Sequence, residues 1–222
     1  MPSHFFLTKE QLSCFANDCD MATSLFSPGY ACGYLASELL YMIHHRIENH
    51  RILRWPSESI HRKYEPGFVG INFFRQWDVS VPMDVDYIVR AIEKELDERG
   101  TIAVVMEDEK DDCPVTCACK SAKTMVDHIM VLTRAKDDPQ TVMRVESYVK
   151  LYGGRVTEWP SWKKDLSALL GSVWEGNRFV ALWNKLFQAQ PRQCSQPGMK
   201  VRLAVHNGTI QNAYGMPEYP SQ

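Results

Sequence analysis

The sequence predicts an α+β fold in which helices pack on an antiparallel sheet. Three observations predict it. An early apolar stretch has helical spacing, several short apolar runs rich in β-branched residues follow it, and two of those runs face each other across a polar segment. Helices are inserted between the strands rather than alternating with them regularly, which is the order expected of an α+β domain.

The elements follow in chain order. Residues 1–26 carry an apolar pattern and read as a short helical lead-in, punctuated by Pro28-Gly29. From Cys32, Leu35, Leu39, Ile43 and Ile47 fall on one helical face, and the helix is expected to end near His50. Residues 51–83 read as irregular, with Trp55-Pro56, Pro66-Gly67 and Pro82 breaking them. In "DVDYIVRAIEKELDERG" Asp84 is an N-cap candidate and Gly100 a stop, and Val85, Ile88, Val89, Ile92 and Leu96 form one apolar face. "TIAVVM" (101–106) reads as a buried strand and "EDEKDD" (107–112) as a solvated acidic loop. "HIMVLTR" (128–134) and "VMRVESYV" (142–149) read as strands joined through "AKDDPQT". Helices near 161–170 and 178–188 and a strand at 199–206 complete the set, with a turn-rich tail over 207–222. The expectation is a single domain over 1–222.

Composition limits the function. At 222 residues, with 45% hydrophobic and 23% charged residues, the chain has an ordinary globular make-up. A net charge of −2 gives no basic stripe for nucleic acid. No apolar run is long enough to cross a bilayer, and "MPSHFFLTKEQ" lacks the features of a signal peptide. Seven cysteines, an odd number, fit free thiols in a reducing compartment. The expected location is therefore the cytoplasm, including that of a host cell for a bacterial or viral effector. The oligomeric state is not legible.

Cys32 is the residue with the clearest chemical position. A helix N-terminus presents unpaired N–H groups and the positive end of the helix dipole, which favour a thiolate and can stabilise an oxyanion. Such a cysteine also makes an ordinary core residue, so a base is required. His44, His45 and His50 lie along the same helix, roughly 18 Å or more from Cys32 at ~1.5 Å per residue. His4 and His61 lie in segments without a defined element. His128 opens a strand. A hairpin centred near Asp137 puts it directly opposite Glu146, close enough to orient an imidazole. A one-residue slip would send Glu146 to the other face.

These residues resemble a family. "GYACGYLASELLYMI" resembles the nucleophile helix of papain-like cysteine proteases, and "DHIMVLTR" followed by "VMRVESYVKLYGG" resembles their histidine strand and the acid-bearing strand after it. The likeness covers about 40 residues in two blocks. It implies a papain-like fold, with the nucleophile helix packed on an antiparallel sheet. It also implies a Cys32 nucleophile, a His128 base and a Glu146 orienter. The backbone N–H of Cys32 would be one oxyanion donor. No cofactor is implied, and the substrate would be a protein or peptide. The stretch "SLFSPGY" lacks the glutamine that many members use as a second oxyanion donor; Ser27, Ser24 or Asn17 are the available substitutes. Proteolysis, deamidation and transglutamination all stay open.

Rival sites are few. Cys113, Cys117 and Cys119, with His128 after them, could hold a structural zinc in a non-catalytic binding module, although their spacing is not that of a zinc knuckle. Cys14 and Cys19 lack the spacing of a redox pair. His206, before Asn207-Gly208, is a second candidate base without a nearby acid. Trp159 and Trp162 could wall a groove or simply fill the core.

Overall fold

Both faces of the central strands are apolar, and the fold is built around that demand. A computed structural model describes residues 4–23, 31–49, 70–79, 85–108, 128–146, 155–172 and 199–209, together with Arg178, Ala181, Leu182, Lys185 and Leu186. For Cys32 and a few other positions it describes the backbone only. The elements are α1 (Lys9–Thr23), α2 (Ala31–His44), β1 (Ile71–Asp78), α3 (Val85–Arg99), β2 (Thr101–Asp108), β3 (His128–Ala135), β4 (Asp138–Glu146), β5 (Arg155–Glu158), α4 (Trp162–Leu170) and β6 (Met199–His206). The strands form one six-stranded sheet of order β1-β6-β2-β3-β4-β5, in which every pairing is antiparallel.

The predicted α+β architecture is present. β2 is buried from Thr101 to Met106, and β3 at every position but Arg134. Alternation divides these side chains between two cores. Ile102, Val104, Met106, Met130, Leu132, Val201 and Leu203 meet α3 and α4 on one face. Ala103, Val105, Ile129, Val131, Met143, Val145 and Ala204 meet α1 and α2 on the other. The result is three layers, helix–sheet–helix. Leu182 and Leu186, both helical as the sequence predicts, pack on the first core.

Local signals fix the helix ends. "TKEQ" is a capping box: the Thr8 N–H donates to Gln11 Oε1 at 2.8 Å and the Gln11 N–H to Thr8 Oγ1 at 3.1 Å. Leu7 and Leu12 flank it in the second core, as a hydrophobic staple does. Helix α2 stops six residues before the predicted end. Arg46, at φ 57°, takes the left-handed cap position; the Ile47 N–H bonds to the Met42 carbonyl at 2.8 Å and the Arg46 N–H to that of Ile43 at 3.3 Å. An arginine there gives no sequence signal, because glycine is the usual occupant. Gly100 does end α3 as predicted, at φ 76°, with its N–H on the Leu96 carbonyl at 2.7 Å.

The sequence reading missed two edge strands. β1 falls in the stretch read as irregular, and its exposed and half-buried residues show no clean alternation. β5 has only four residues. Both are defined by pairing, β1 with β6 and β5 with β4. The apolar face of α3 also carries an unexpected charge. Glu95 is 3% exposed and accepts from Arg75 Nε at 2.7 Å and Arg99 Nε at 2.8 Å. Burial pushes its carboxyl up, but the Arg99 and Arg75 guanidiniums outweigh burial and hold it below the usual range.

Two predictions follow from this frame. A Cβ at Gly100 would lie 2.7 Å from the Phe6 ring and force a side chain into the left-handed region. Gly100→Ala should therefore lower stability by about 1–3 kcal/mol, read as a lower denaturant midpoint at unchanged slope. A depressed folded pKa contributes stability above the unfolded carboxyl value that is lost as pH falls through the folded one. Stability curves from pH 6 to 2 should fall less steeply for Glu95→Gln than for the natural chain, from a lower starting point. Parallel curves would count against the assignment.

Candidate functional site

The β3–β4 hairpin brings His128 and Glu146 together. His128 Nε2 lies 3.2 Å from Glu146 Oε2, and the two side chains are 0% and 1% exposed. Arg144 Nη2 holds the other carboxylate oxygen, Oε1, also at 3.2 Å. The Arg144 guanidinium in turn stacks on the Trp159 ring, 4.6 Å from its centroid. A buried carboxylate thus has a donor on each oxygen, the condition under which burying its charge is tolerable. A carboxylate only accepts, so the His128 Nε2–H donates to it. The basic lone pair of the neutral ring is then on Nδ1.

The pair forms by a different register from the one read in the sequence. The strands pair Val131 with Val145 and Leu132 with Arg144. Continued, that register sets Met130 opposite Glu146, so His128 is a diagonal neighbour rather than a direct partner. The cause lies at the turn, where Ala135 pairs with Asp138 around Lys136-Asp137 and the register shifts between Arg134 and Ala135. The displacement is two residues. An even displacement keeps Glu146 on the face of His128, and both side chains are long enough to span a diagonal.

Cys32 is the second residue of α2, so its backbone lies in the first turn of the helix. The far end of α2 is fixed by the contacts of Tyr41 and His44 with His206, the last residue of β6. His206 closes the sheet end at which Ile71 begins β1. His128 stands at the other end, opposite Met106. The 14-residue α2 is long enough, at about 1.5 Å per residue, to carry its N-terminus toward that other end. The body of α2 packs on one face of the sheet, and His128 belongs to the other. Leu35, Ala36, Leu39 and Leu40 of α2 cover the odd-numbered side chains of β3, Ile129 and Val131. His128 follows the even set, with Met130 and Leu132, toward the α3–α4 core.

The other candidates sort plainly. Trp159 and Trp162 are 5% exposed and belong to the first core, with Trp159 Nε1 donating to Asp165 at 2.8 Å; they brace the end of β4 rather than wall a groove. His206 packs with His44 and His45, and no carboxylate joins them among the described residues. Cys14 is exposed and free. Cys113, Cys117, Cys119 and the tail beyond Thr209 lie outside the described residues, as do Ser24 and Ser27. Arg144 is the participant that sequence reasoning overlooked. Its signal was available: two residues before Glu146 on a strand is the same face. No described helix is long and apolar enough to cross a membrane.

Comparison with protein-family models, curated proteins and solved structures returns no match. The site therefore rests on its own geometry.

Removing Arg144 would leave Glu146 buried with one oxygen uncompensated. Arg144→Leu should cost about 3–5 kcal/mol, and Glu146→Gln, which keeps the shape, clearly less. Equilibrium denaturation of the two variants checks the order; equal losses would mean that the guanidinium does not carry the carboxylate.

Proposed function

We propose that the protein is a thiol hydrolase or acyltransferase, most simply a cysteine protease acting on a protein substrate through Cys32, His128 and Glu146. The supporting observation is the buried His128–Glu146 bond, with Arg144 fixing the second carboxylate oxygen. It holds the imidazole in the tautomer that a general base needs. Nδ1 would take the thiol proton, and the thiolate would attack the substrate carbonyl, with the N–H groups of the first turn of α2 supporting the oxyanion. Nδ1–H would then protonate the leaving amine, and water would release the acyl group from the thioester. The reading needs the Cys32 sulfur to reach past the rim of the sheet, where β3 begins at His128.

A second reading is a non-catalytic binding module in which His128, Glu146 and Arg144 form an internal polar network. The zero exposure of His128 and the placement of α2 across the opposite face favour it.

Labelling of the full chain by a covalent acyl-type thiol probe separates the two. The first reading expects preferential modification of Cys32, its loss in Cys32→Ala, and a rate lowered by about 10²-fold or more in His128→Ala. Labelling that neither substitution diminishes overturns it.

A further inference from the structure

At the sheet end away from His128, three imidazoles converge. His44 closes α2, His45 follows it, and His206 closes β6. Their ring centroids are 4.6–5.3 Å apart, and one nitrogen from each can be chosen so that all three lie within 4.8 Å of one another. We propose that His44, His45 and His206 form a binding site for a first-row divalent metal, with zinc as the best match, leaving a fourth position for water.

Three observations carry this. His206 is 8% exposed, and its Nε2 has no hydrogen-bond partner among the described residues. Space is kept beside that atom, since a Cβ on Gly70 would come within 3.1 Å of it, and Gly70 sits at φ 77°. His45 Nε2 lies 2.9 Å from the Thr209 carbonyl, which can only accept, so the neutral ring has its lone pair on Nδ1. A backbone carbonyl on the far nitrogen is the usual support of a ligating imidazole.

Burial, then the neighbouring His44 and His45, pushes His206 down to about 4, and burial and His45 lower His44. Zinc–nitrogen bonds of ~2.0–2.1 Å set tetrahedral ligand atoms roughly 3.3 Å apart, so each donor would move on the order of 1 Å. His44 is exposed, and it leaves the cluster open to solvent on one side.

One hydrogen bond must change. The Gly208 N–H donates to His206 Nδ1 at 3.0 Å, which places the neutral ring's proton on Nε2. Ligation through Nε2 moves that proton to Nδ1, and the Gly208 N–H must turn away. The Asn207–Gly208 peptide can do so. Gly208 stands exposed at φ 85°, with open space around its Cβ position, and glycine accepts either sign of φ. The turned peptide would offer the Asn207 carbonyl to the Nδ1–H. The site is independent of His128, which lies at the other end of the sheet, and of Cys32, at the other end of α2.

Cobalt(II) is the probe, because its spectrum distinguishes nitrogen from sulfur ligands. Titration of the full-length, chelator-treated protein should show one cobalt per chain without sulfur-to-metal charge-transfer absorption, and zinc should displace it. Affinity should fall at least tenfold in His44→Ala, whose side chain is exposed and outside both cores, and in His206→Gln. It should be unchanged when Cys113, Cys117 and Cys119 are all replaced by serine. Binding that survives His44→Ala and His206→Gln, or that is lost with the three cysteines, overturns the proposal, as does the absence of binding.

Discussion

The burial of β2 and β3 on both faces is the constraint from which the rest follows. An antiparallel pair often leaves one face to water. Here Val104 and Met130 need cover on one side and Val105 and Val131 on the other, so helices are required on both. The flanking strands extend the platform until, at β1 and β5, its edges are short or largely exposed.

Where its central strands have no wet face, the sheet has its ends to offer for chemistry. Two of the described polar clusters lie there. His128, Glu146 and Arg144 gather where β3 begins and β4 ends, and His44, His45 and His206 gather where α2 and β6 end. The two sets differ in how their polar atoms are satisfied. The first is compensated internally, since each oxygen of Glu146 has a cationic or imidazole donor. The second has imidazoles in edge-on or tilted contact with no carboxylate among the described residues; His206, its most buried member, is pushed down to about 4 by burial and its two neighbours.

Helix α2 links the two ends. Its first turn carries Cys32 and its last residues carry His44 and, just beyond, His45. The Schellman-type cap at Arg46 and Ile47 determines where it stops, and so places the two histidines against His206 rather than a turn further on. Cys32 and His44 thus stand at opposite ends of one helix.

The sequence by itself determined what short-range patterns encode. These include the helical faces of α2 and α3, the stop at Gly100, the buried runs of β2 and β3, the antiparallel α+β class, and the shared face of His128 and Glu146. That last relation survived a wrong register because strand periodicity is two and the error was two. Only tertiary structure decided what depends on distant partners. The edge strands exist through pairing, and Glu95 is buried because Arg75 reaches it from another element. Likewise α2 lies on the odd-numbered face of β3 while His128 turns to the even one, and His206 meets a helix far away in the chain. Periodicity tells which residues share a face; it carries no information on which helix will cover that face.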